Sequence, residues 1–264
     1  MDEKTLARLK NKVTGIEDIP NTSNILLYAD AGMGKTTAAA LSPKPLIINS
    51  EGGTLSLNRF KKFHKQLDIK VMRPDSIQDL QDIFWYLKSG DHDRKTVIID
   101  SLTEIQTLSM DEILADPKRD AKHDKDTPTL QDYGKNTNRM RKLVRTFRDL
   151  SMNVVFTCLA GETKDEEDGS IKIGPELMPK LGNDVMGYVD VVGYMFASSN
   201  KEETFRKVLT QPKGKFKAKD RSGKLGIGME DPTLFHILNK VTDGASEIPE
   251  NIKEILEEVR KHES

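Results

Sequence analysis

A lysine and a threonine that follow a glycine-bearing turn have the spacing of a phosphate-binding site. The apolar run Ile25–Tyr28 leads into the turn, and Thr37 and three alanines follow it as good helix formers. Backbone N–H groups of such a loop form a concave anion site, to which the helix start adds its positive end. Lys35 would reach the β- and γ-phosphates of a nucleotide, and the Thr36 hydroxyl would ligate Mg²⁺. The predicted nucleotide-binding residues of this phosphate loop are Ala29, Asp30, Ala31, Gly32, Met33, Gly34, Lys35, Thr36 and Thr37.

A carboxylate at the end of a predicted strand complements this loop. Four β-forming residues, Thr96–Ile99, run directly into Asp100. In nucleotide-hydrolysing proteins with such a loop, an aspartate of this kind holds Mg²⁺ opposite the loop threonine. Many buried strands end in aspartate, but the phosphate loop upstream makes the pair a strong signal. We therefore predict that Thr36 and, through water, Asp100 hold Mg²⁺, and that ATP and Mg²⁺ are the cofactors.

A glutamate follows another predicted strand, Leu46–Asn49, and precedes two glycines. Ligand-binding residues of open α/β sheets lie at the carboxyl ends of the strands. Glu51 is therefore a candidate general base that orients the water attacking the γ-phosphate. A solvated glutamate in an ordinary turn is the alternative. Glu104, shortly after Asp100, is a rival for the role of base.

Two basic segments could contact phosphates outside the loop. The first is a helix predicted over Met140–Leu150, whose apolar residues recur at helical spacing among arginines. Its basic face could meet DNA, another subunit or only solvent. The second is Lys213–Lys224, with five lysines and an arginine. It could be a solvated loop, contact the backbone of a nucleic acid, or insert as a cationic finger into a neighbour's nucleotide site.

An α/β fold with a mainly parallel sheet flanked by helices would position these residues, and a β-hairpin extension is expected late in the chain. The capping signal at Ser76 predicts an amphipathic helix through Leu87, and a second one is predicted near the C-terminus. Other predicted elements are strands at Ile69–Met72, Asn153–Cys158, Tyr188–Phe196 and Thr204–Thr210, a hairpin within Gly161–Gly174, one helix over 54–68, a charged excursion over 110–134 and an irregular segment around Leu177–Leu181.

The composition describes a polar, soluble protein. Of the 264 residues, 36% are hydrophobic and 31% charged, and the formal net charge is -1, so any DNA contact must come from a local patch. The single cysteine, Cys158, excludes an internal disulfide and is compatible with a reducing compartment. The N-terminus lacks the apolar core of a signal peptide, and no run approaches transmembrane length. We expect a cytoplasmic protein without a membrane contact.

The phosphate loop, the strand before Glu51 and the strand ending in Asp100 together resemble the RecA-type ATPase core. In that family the glutamate after the second core strand is the catalytic base, which corresponds to Glu51. The order of motifs, the chain length and Lys217–Arg221 further resemble phage-encoded RecA-like ATPases, including the compact single-strand annealing proteins of phages. The resemblance covers roughly residues 22–225 and implies domains at 1–22 (lead-in), 23–230 (ATPase core) and 231–264 (helical tail).

The resemblance also implies function and partners. Lys219 and Arg221 would act in trans on the γ-phosphate of an adjacent subunit, which implies a homo-oligomer with ATP at subunit interfaces. The implied activity is DNA-stimulated ATP hydrolysis in phage DNA recombination or annealing of single-stranded DNA, in the bacterial host cytoplasm. A single-stranded-DNA-binding protein is an implied partner. The alternative is a nucleotide-switched accessory module for phage DNA replication with little hydrolysis. A small-molecule kinase would use the same loop, but the chain has no clear lid signature.

Two departures from the family pattern concern the coupling of ATP to DNA. RecA relatives usually place a glutamine or histidine at the tip of the fourth core strand to sense the γ-phosphate, whereas this chain has Thr157 and Cys158. Either Thr157 takes that role or the sensing is weakened. The segment after this tip, where relatives carry a DNA-binding loop, contains the acidic run Asp165–Asp168, so we assign no DNA contact to it.

Overall fold

The computed structural model describes residues 2–52, 55–119, 124, 126–164, 169–199, 204–230, 232–243 and 250–261. Within these ranges the chain forms strands and α-helices that alternate through its first half. The strands are β1 (Asn24–Ala29), β2 (Pro45–Asn49), β3 (Lys70–Met72), β4 (Thr96–Asp100), β5 (Asn153–Lys164), β6 (Ile171–Pro175), β7 (Val191–Ser199), β8 (Thr204–Leu209), β9 (Lys219–Asp220) and β10 (Gly228–Glu230). The α-helices are α1 (Glu3–Lys10), α2 (Lys35–Ala40), α3 (Leu55–Asn58), α4 (His64–Leu67), α5 (Ile77–Ser89), α6 (Leu102–Leu114), α7 (Leu130–Arg148), α8 (Pro179–Tyr188), α9 (Leu234–Val241) and α10 (Glu250–Lys261).

The strands join in one sheet in the order β10-β8-β7-β1-β5-β4-β2-β3, with β6 and β9 paired to β5 and β7. The strands from β3 to β7 in this order run parallel, while β8 and β10 add antiparallel pairs at one edge. Strand β1 lies between β5 and β7, and β5 separates it from β4. All five residues of β4 and the last five of β1 are buried, as expected for parallel strands covered on both faces. The predicted α/β class with a mainly parallel sheet and a late hairpin is confirmed.

Helices cover both faces of the sheet, and alternate residues of β1 divide between the two layers. Leu26 and Tyr28 pack in the larger cluster, which includes residues of α5, α6, α7 and α8. Ile25 and Leu27 pack in the opposite cluster with α2, α9 and α10. This alternation follows from the two-residue period of a strand. The phosphate loop therefore emerges between two apolar layers that fix the end of β1.

A β-hairpin and a cross-strand segment lie on the Tyr28 face of the sheet. The last part of β5 pairs antiparallel with β6, and Ile173 of β6 exchanges backbone hydrogen bonds with Lys215 and Lys217. The Tyr28 hydroxyl contacts the carbonyl oxygens of Ile173 at 3.0 Å and Lys217 at 2.5 Å. Phe216 stacks on Tyr194 of β7, with ring centroids 4.3 Å apart. Part of the basic segment Lys213–Lys224 is thus fixed against the sheet and is not a freely solvated loop.

Several local predictions are confirmed and others are wrong. Helix α5 begins where Ser76 accepts a hydrogen bond from the Asp79 N–H, as predicted. The single helix expected over 54–68 is instead interrupted, because α3, a 3-10 turn at Lys61–Phe63 and α4 follow one another. The excursion expected over 110–134 is partly helical, since α6 extends to Leu114 and α7 begins at Leu130.

Of the segment around Leu177–Leu181 that is predicted to be irregular, Leu177 and Met178 lie outside any helix, and the part from Pro179 onward forms helix α8. Pro179 takes a first-turn position, which needs no N–H donor, and Gly182 lies within the helix. Predictions that involve Gly53, Asp120–His123, Lys125, the acidic run at 165–168, the turn at 200–201 and Pro249 lie outside the described residues. No helix among the described residues is long and apolar enough to cross a membrane.

Candidate functional site

The phosphate loop connects the buried end of β1 to the start of α2. Ala29 is the last residue of the strand, and Lys35 is the first residue of the helix. Gly32 and Gly34 have φ angles of 77° and 84°, in the left-handed region where residues with a Cβ are strained. The glycines are therefore required by the turn itself. Ala29 occupies a position in regular strand, where an alanine fits without strain.

Lys35 lies folded back into the loop. Its Nζ donates hydrogen bonds to the carbonyl oxygens of Ala29 and Asp30, each at 3.1 Å, and the side chain is buried. Burial lowers the pKa of this lysine, while the negative charges of Glu51 and Asp100 oppose that effect. A buried ammonium held at the mouth of a glycine loop is positioned to meet phosphate oxygens.

Asp100 is held between two threonine hydroxyls. Thr36 donates a hydrogen bond to Oδ2 at 2.7 Å, and Thr157 donates one to Oδ1 at 2.5 Å. Burial raises the pKa of Asp100, and the two threonine hydrogen bonds counteract this rise. A threonine hydroxyl and a carboxylate in contact are hard oxygen donors of the kind Mg²⁺ prefers. The residues present therefore fit a nucleotide-associated Mg²⁺ ion.

Glu51 follows the end of β2, next to the strand that carries Asp100. The Ser50 N–H donates to the Asp100 carbonyl oxygen at 2.8 Å, and the Gly52 N–H donates to Asn49 Oδ1 at 3.1 Å, so the turn is anchored on both sides of Glu51. The glutamate is exposed, and its charge acts on the pKa of both Lys35 and Asp100. The structure thus brings Glu51 to the loop as an accessible carboxylate.

Glu104 has a different local setting. It lies in the first turn of α6, where its N–H donates to Ser101 Oγ at 3.4 Å, completing the cap of that helix. Carboxylates are favourable in this position because of the positive helix end. The carboxylates whose charges oppose the lowering of the Lys35 pKa are Glu51, Asp100 and Asp30. Glu51 is accordingly the better-placed candidate base.

Lys219 and Arg221 lie at the amino ends of the parallel strands, whereas the phosphate loop of their own chain lies at the carboxyl ends. Strand β9 pairs with Val191 and Val192, at the start of β7, whereas the loop follows the end of β1. Lys219 Nζ donates to the Met186 carbonyl oxygen, and Arg221 donates to Gly187 at 2.7 Å. The structure does not bring these two cations to Lys35, and their action on a neighbouring subunit stays a prediction.

The basic face of α7 is largely paired with groups of the same chain. Arg139 contacts Glu112 at 3.0 Å, Arg141 contacts Asp184 at 2.6 Å, and Arg148 contacts Asp149 at 2.6 Å. Arg145 and Arg148 also lie over the Tyr188 ring. The contacts of Arg139 and Arg141 join α7 to α6 and α8. Contacts within the chain therefore account for much of the arginine content of α7.

The structure places two further residues, Thr157 and Arg206, near the loop. Thr157 was a possible γ-phosphate sensor, but its hydroxyl is fully buried and bonded to Asp100. A threonine inside an apolar strand is a signal of such a buried polar contact. Arg206 of β8 lies beside Gly34, and nothing in its sequence neighbourhood indicates this, because the contact depends on the pairing of β8 with β7.

The chain is similar to one protein family and to solved structures of low sequence identity. Residues 21–222 match the family model described as AAA domain. A KaiC-like protein from the archaeon Pyrococcus horikoshii has 15% identity and a TM-score of 0.41, over 75% of this chain and 84% of that one. The flagellar accessory protein FlaH from Methanocaldococcus jannaschii has 11% identity and a TM-score of 0.40, over 76% and 82%. No curated protein sequence matches. The chain belongs to the AAA domain family.

Proposed function

We propose that this protein binds ATP with Mg²⁺ at the phosphate loop and hydrolyses it with Glu51 as general base. The observation that carries the proposal is the 2.7 Å hydrogen bond between Thr36 and Asp100, which joins the loop to the end of β4. It places the two predicted metal-holding groups in contact although 63 residues separate them in the sequence. Lys35 directly precedes Thr36, and Glu51 lies two residues beyond Asn49, which pairs with Asp100 between β2 and β4.

Each residue has a distinct role in this proposal. The loop backbone binds phosphate oxygens, and Lys35 turns from the carbonyl oxygens of Ala29 and Asp30 toward the β- and γ-phosphates. Thr36 and Asp100 would hold Mg²⁺, and the ion would supply positive charge that neutralises developing charge on the phosphates. Glu51 accepts a hydrogen bond from water and removes its proton as the water attacks. Its exposure leaves room for that water.

ATP hydrolysis by the purified protein tests this proposal. Wild-type protein should release phosphate from ATP in a Mg²⁺-dependent manner, and Lys35→Ala should abolish it. Lys207→Ala is a suitable control, because Lys207 is a surface lysine paired with Glu230 on β10. Absence of ATP binding by folded wild-type protein, or equal hydrolysis by the Lys35→Ala variant, would overturn the proposal.

We further propose that the protein acts as a homo-oligomer on single-stranded DNA in phage DNA recombination or annealing. The resemblance of its motifs to compact phage RecA-like proteins supports this. The distance of Arg221 from its own phosphate loop is compatible with action on a neighbour. Single-stranded DNA should raise the ATPase rate and the sedimentation coefficient of the protein with ATP. A rate and a size that do not change with DNA would contradict this part and leave the ATPase proposal intact.

A further inference from the structure

Arg206 lies against the phosphate loop of its own chain. If Gly34 carried a Cβ, that atom would stand 2.7 Å from Arg206 Nε, 3.0 Å from Cδ and 3.3 Å from Cζ. The guanidinium group therefore occupies the space beside the glycine that directly precedes Lys35. A side chain at Gly34 would collide with it, in addition to the strain at a φ of 84°.

The register of the sheet explains why this arginine reaches the loop. Arg206 pairs with Ala197 of β7, three residues beyond Tyr194, which pairs with Tyr28 of β1. Arg206 thus lies beyond the carboxyl end of β1, at the edge where the loop emerges. Val208, two residues further along β8, packs in the same cluster as α2, so Arg206 projects on the α2 face of the sheet.

The position of Arg206 in the sheet also indicates which phosphates it can meet. Strand β8 lies on the β7 side of β1. On the other side of β1, Asp100 is the last residue of β4, and Glu51 follows the end of β2. In a loop of this type the backbone holds the α- and β-phosphates, and the lysine reaches the β- and γ-phosphates. Arg206 lies at the loop backbone, away from the carboxylates that would act on the γ-phosphate.

Resting on the proposed ATP binding, we propose that Arg206 is a nucleotide-binding residue supplied in cis, and that it binds the α- and β-phosphates. The planar guanidinium group donates parallel hydrogen bonds to phosphate oxygens. The side chain is partly buried, so its charge is less screened than that of a fully exposed arginine. Because ATP and ADP share these phosphates, Arg206 strengthens the binding of both and leaves the hydrolytic step unchanged.

Equilibrium binding of ATP and ADP to Arg206→Ala, Arg206→Gln and Arg206→Lys tests the assignment. Loss of the guanidinium should weaken both nucleotides by about 10- to 100-fold, in keeping with a hydrogen bond to a charged group. Arg206→Lys should recover part of the affinity. The rate at saturating ATP should remain within about twofold of wild type, as expected for uniform binding. Lys207→Ala is the matched control, because it removes one cation from the next position of β8, on the opposite face.

The outcomes separate this assignment from the proposed function. Wild-type affinity in Arg206→Ala and Arg206→Gln, with normal binding by wild type, would overturn the assignment alone. Weakening of ATP with unchanged ADP would overturn its placement at the shared phosphates. Absence of nucleotide binding by wild type would overturn the proposed function together with this assignment. Circular dichroism melting of each variant without nucleotide identifies a variant that fails to fold, and the conservative Arg206→Lys variant then decides the result.

Discussion

Thr157 donates its hydroxyl hydrogen to Asp100 Oδ1 at 2.5 Å, from the strand that separates β4 from the phosphate-loop strand. The threonine is fully buried, so this bond is protected from water. The other carboxylate oxygen accepts the Thr36 hydroxyl. The orientation of the proposed metal-holding carboxylate is thus fixed at both of its oxygens, by one residue of helix α2 and one residue of strand β5.

Thr157→Val should raise the Mg²⁺ concentration that the ATPase needs. Valine keeps the shape of threonine and removes only the hydrogen bond, so Asp100 loses part of its orientation. Loss of an outer-shell partner typically costs 10–100-fold in metal affinity or activity, and we expect a change of about 10-fold. The measurement is the Mg²⁺ concentration at half-maximal rate. Thr157→Ser keeps the hydroxyl and should stay near wild type; equal shifts in both variants would point to packing as the cause.

Glu51→Gln should lower the ATPase rate at saturating ATP by about 10²- to 10⁴-fold, the contribution typical of a general base. ATP affinity should be retained, because the amide keeps the size of the side chain. Glu104→Gln is the control and should change the rate by less than about threefold. A larger loss in the Glu104 variant than in the Glu51 variant would reverse the two assignments. Single-turnover measurements with equilibrium ATP binding separate the two effects.

The nucleotide-free protein should lose stability relative to Asp100→Asn as the pH rises. Burial raises the pKa of Asp100 above its ordinary value of 3.8. A carboxyl with a raised folded-state pKa contributes stability that is complete below the unfolded pKa, and this contribution is lost as the pH rises through the folded pKa. Urea unfolding of both proteins between pH 4 and 8 measures the difference. A difference that does not vary with pH would show that the carboxyl is not perturbed.

Asp132 should show the opposite sign in urea unfolding measured at lower pH, between about pH 2 and 5. Hydrogen bonds from the backbone and side chain of Thr129, together with Arg119, lower the pKa of Asp132 to about 2. Its contribution to stability is present above its ordinary pKa of 3.8 and is lost as the pH falls toward 2. Relative to Asp132→Asn, wild type should therefore gain stability as the pH rises through this range, and a loss would contradict the assignment.

Cys158 should react with iodoacetamide only when the protein unfolds. The thiol is buried, and burial raises its pKa to about 12. The thiolate is the reactive species, so alkylation at pH 8 should be slowed by more than about 10³-fold compared with the urea-unfolded chain. Because it is the sole cysteine, intact-mass measurement reports the reaction directly. Alkylation of the native protein at the unfolded rate would contradict the buried position.

The phosphate loop and its partner strand could be predicted because their chemistry is local. The glycines are demanded by φ angles of the turn, and Asp100 ends a run of strand-forming residues. The contact between Asp100 and Thr157 could not be predicted, because it depends on β5 lying beside β4. Arg206 was missed for the same reason, since its contact with Gly34 arises from strand pairing and not from sequence spacing.

Two helices, α7 and α8, contain sequence signals that are harder to interpret without the structure. Pro179 and Gly182 suggest an irregular segment, yet proline is compatible with the first turn of α8, and Gly182 lies within that helix. The arginines of α7 are compatible with a surface that faces DNA, another subunit or solvent, and pairs such as Arg141 with Asp184 add contacts within the fold. Charge patterns alone do not separate an intramolecular pair from a binding surface.

Strand β5 has a structural consequence for the site. Its 12 residues run without interruption from the parallel core to the hairpin with β6, and a strand of that length spans roughly 40 Å at about 3.3 Å per residue. Thr157 lies in its first half, and Lys164 ends it. Strand β5 therefore connects the hairpin, through continuous backbone, to the Thr157 hydroxyl that holds Asp100.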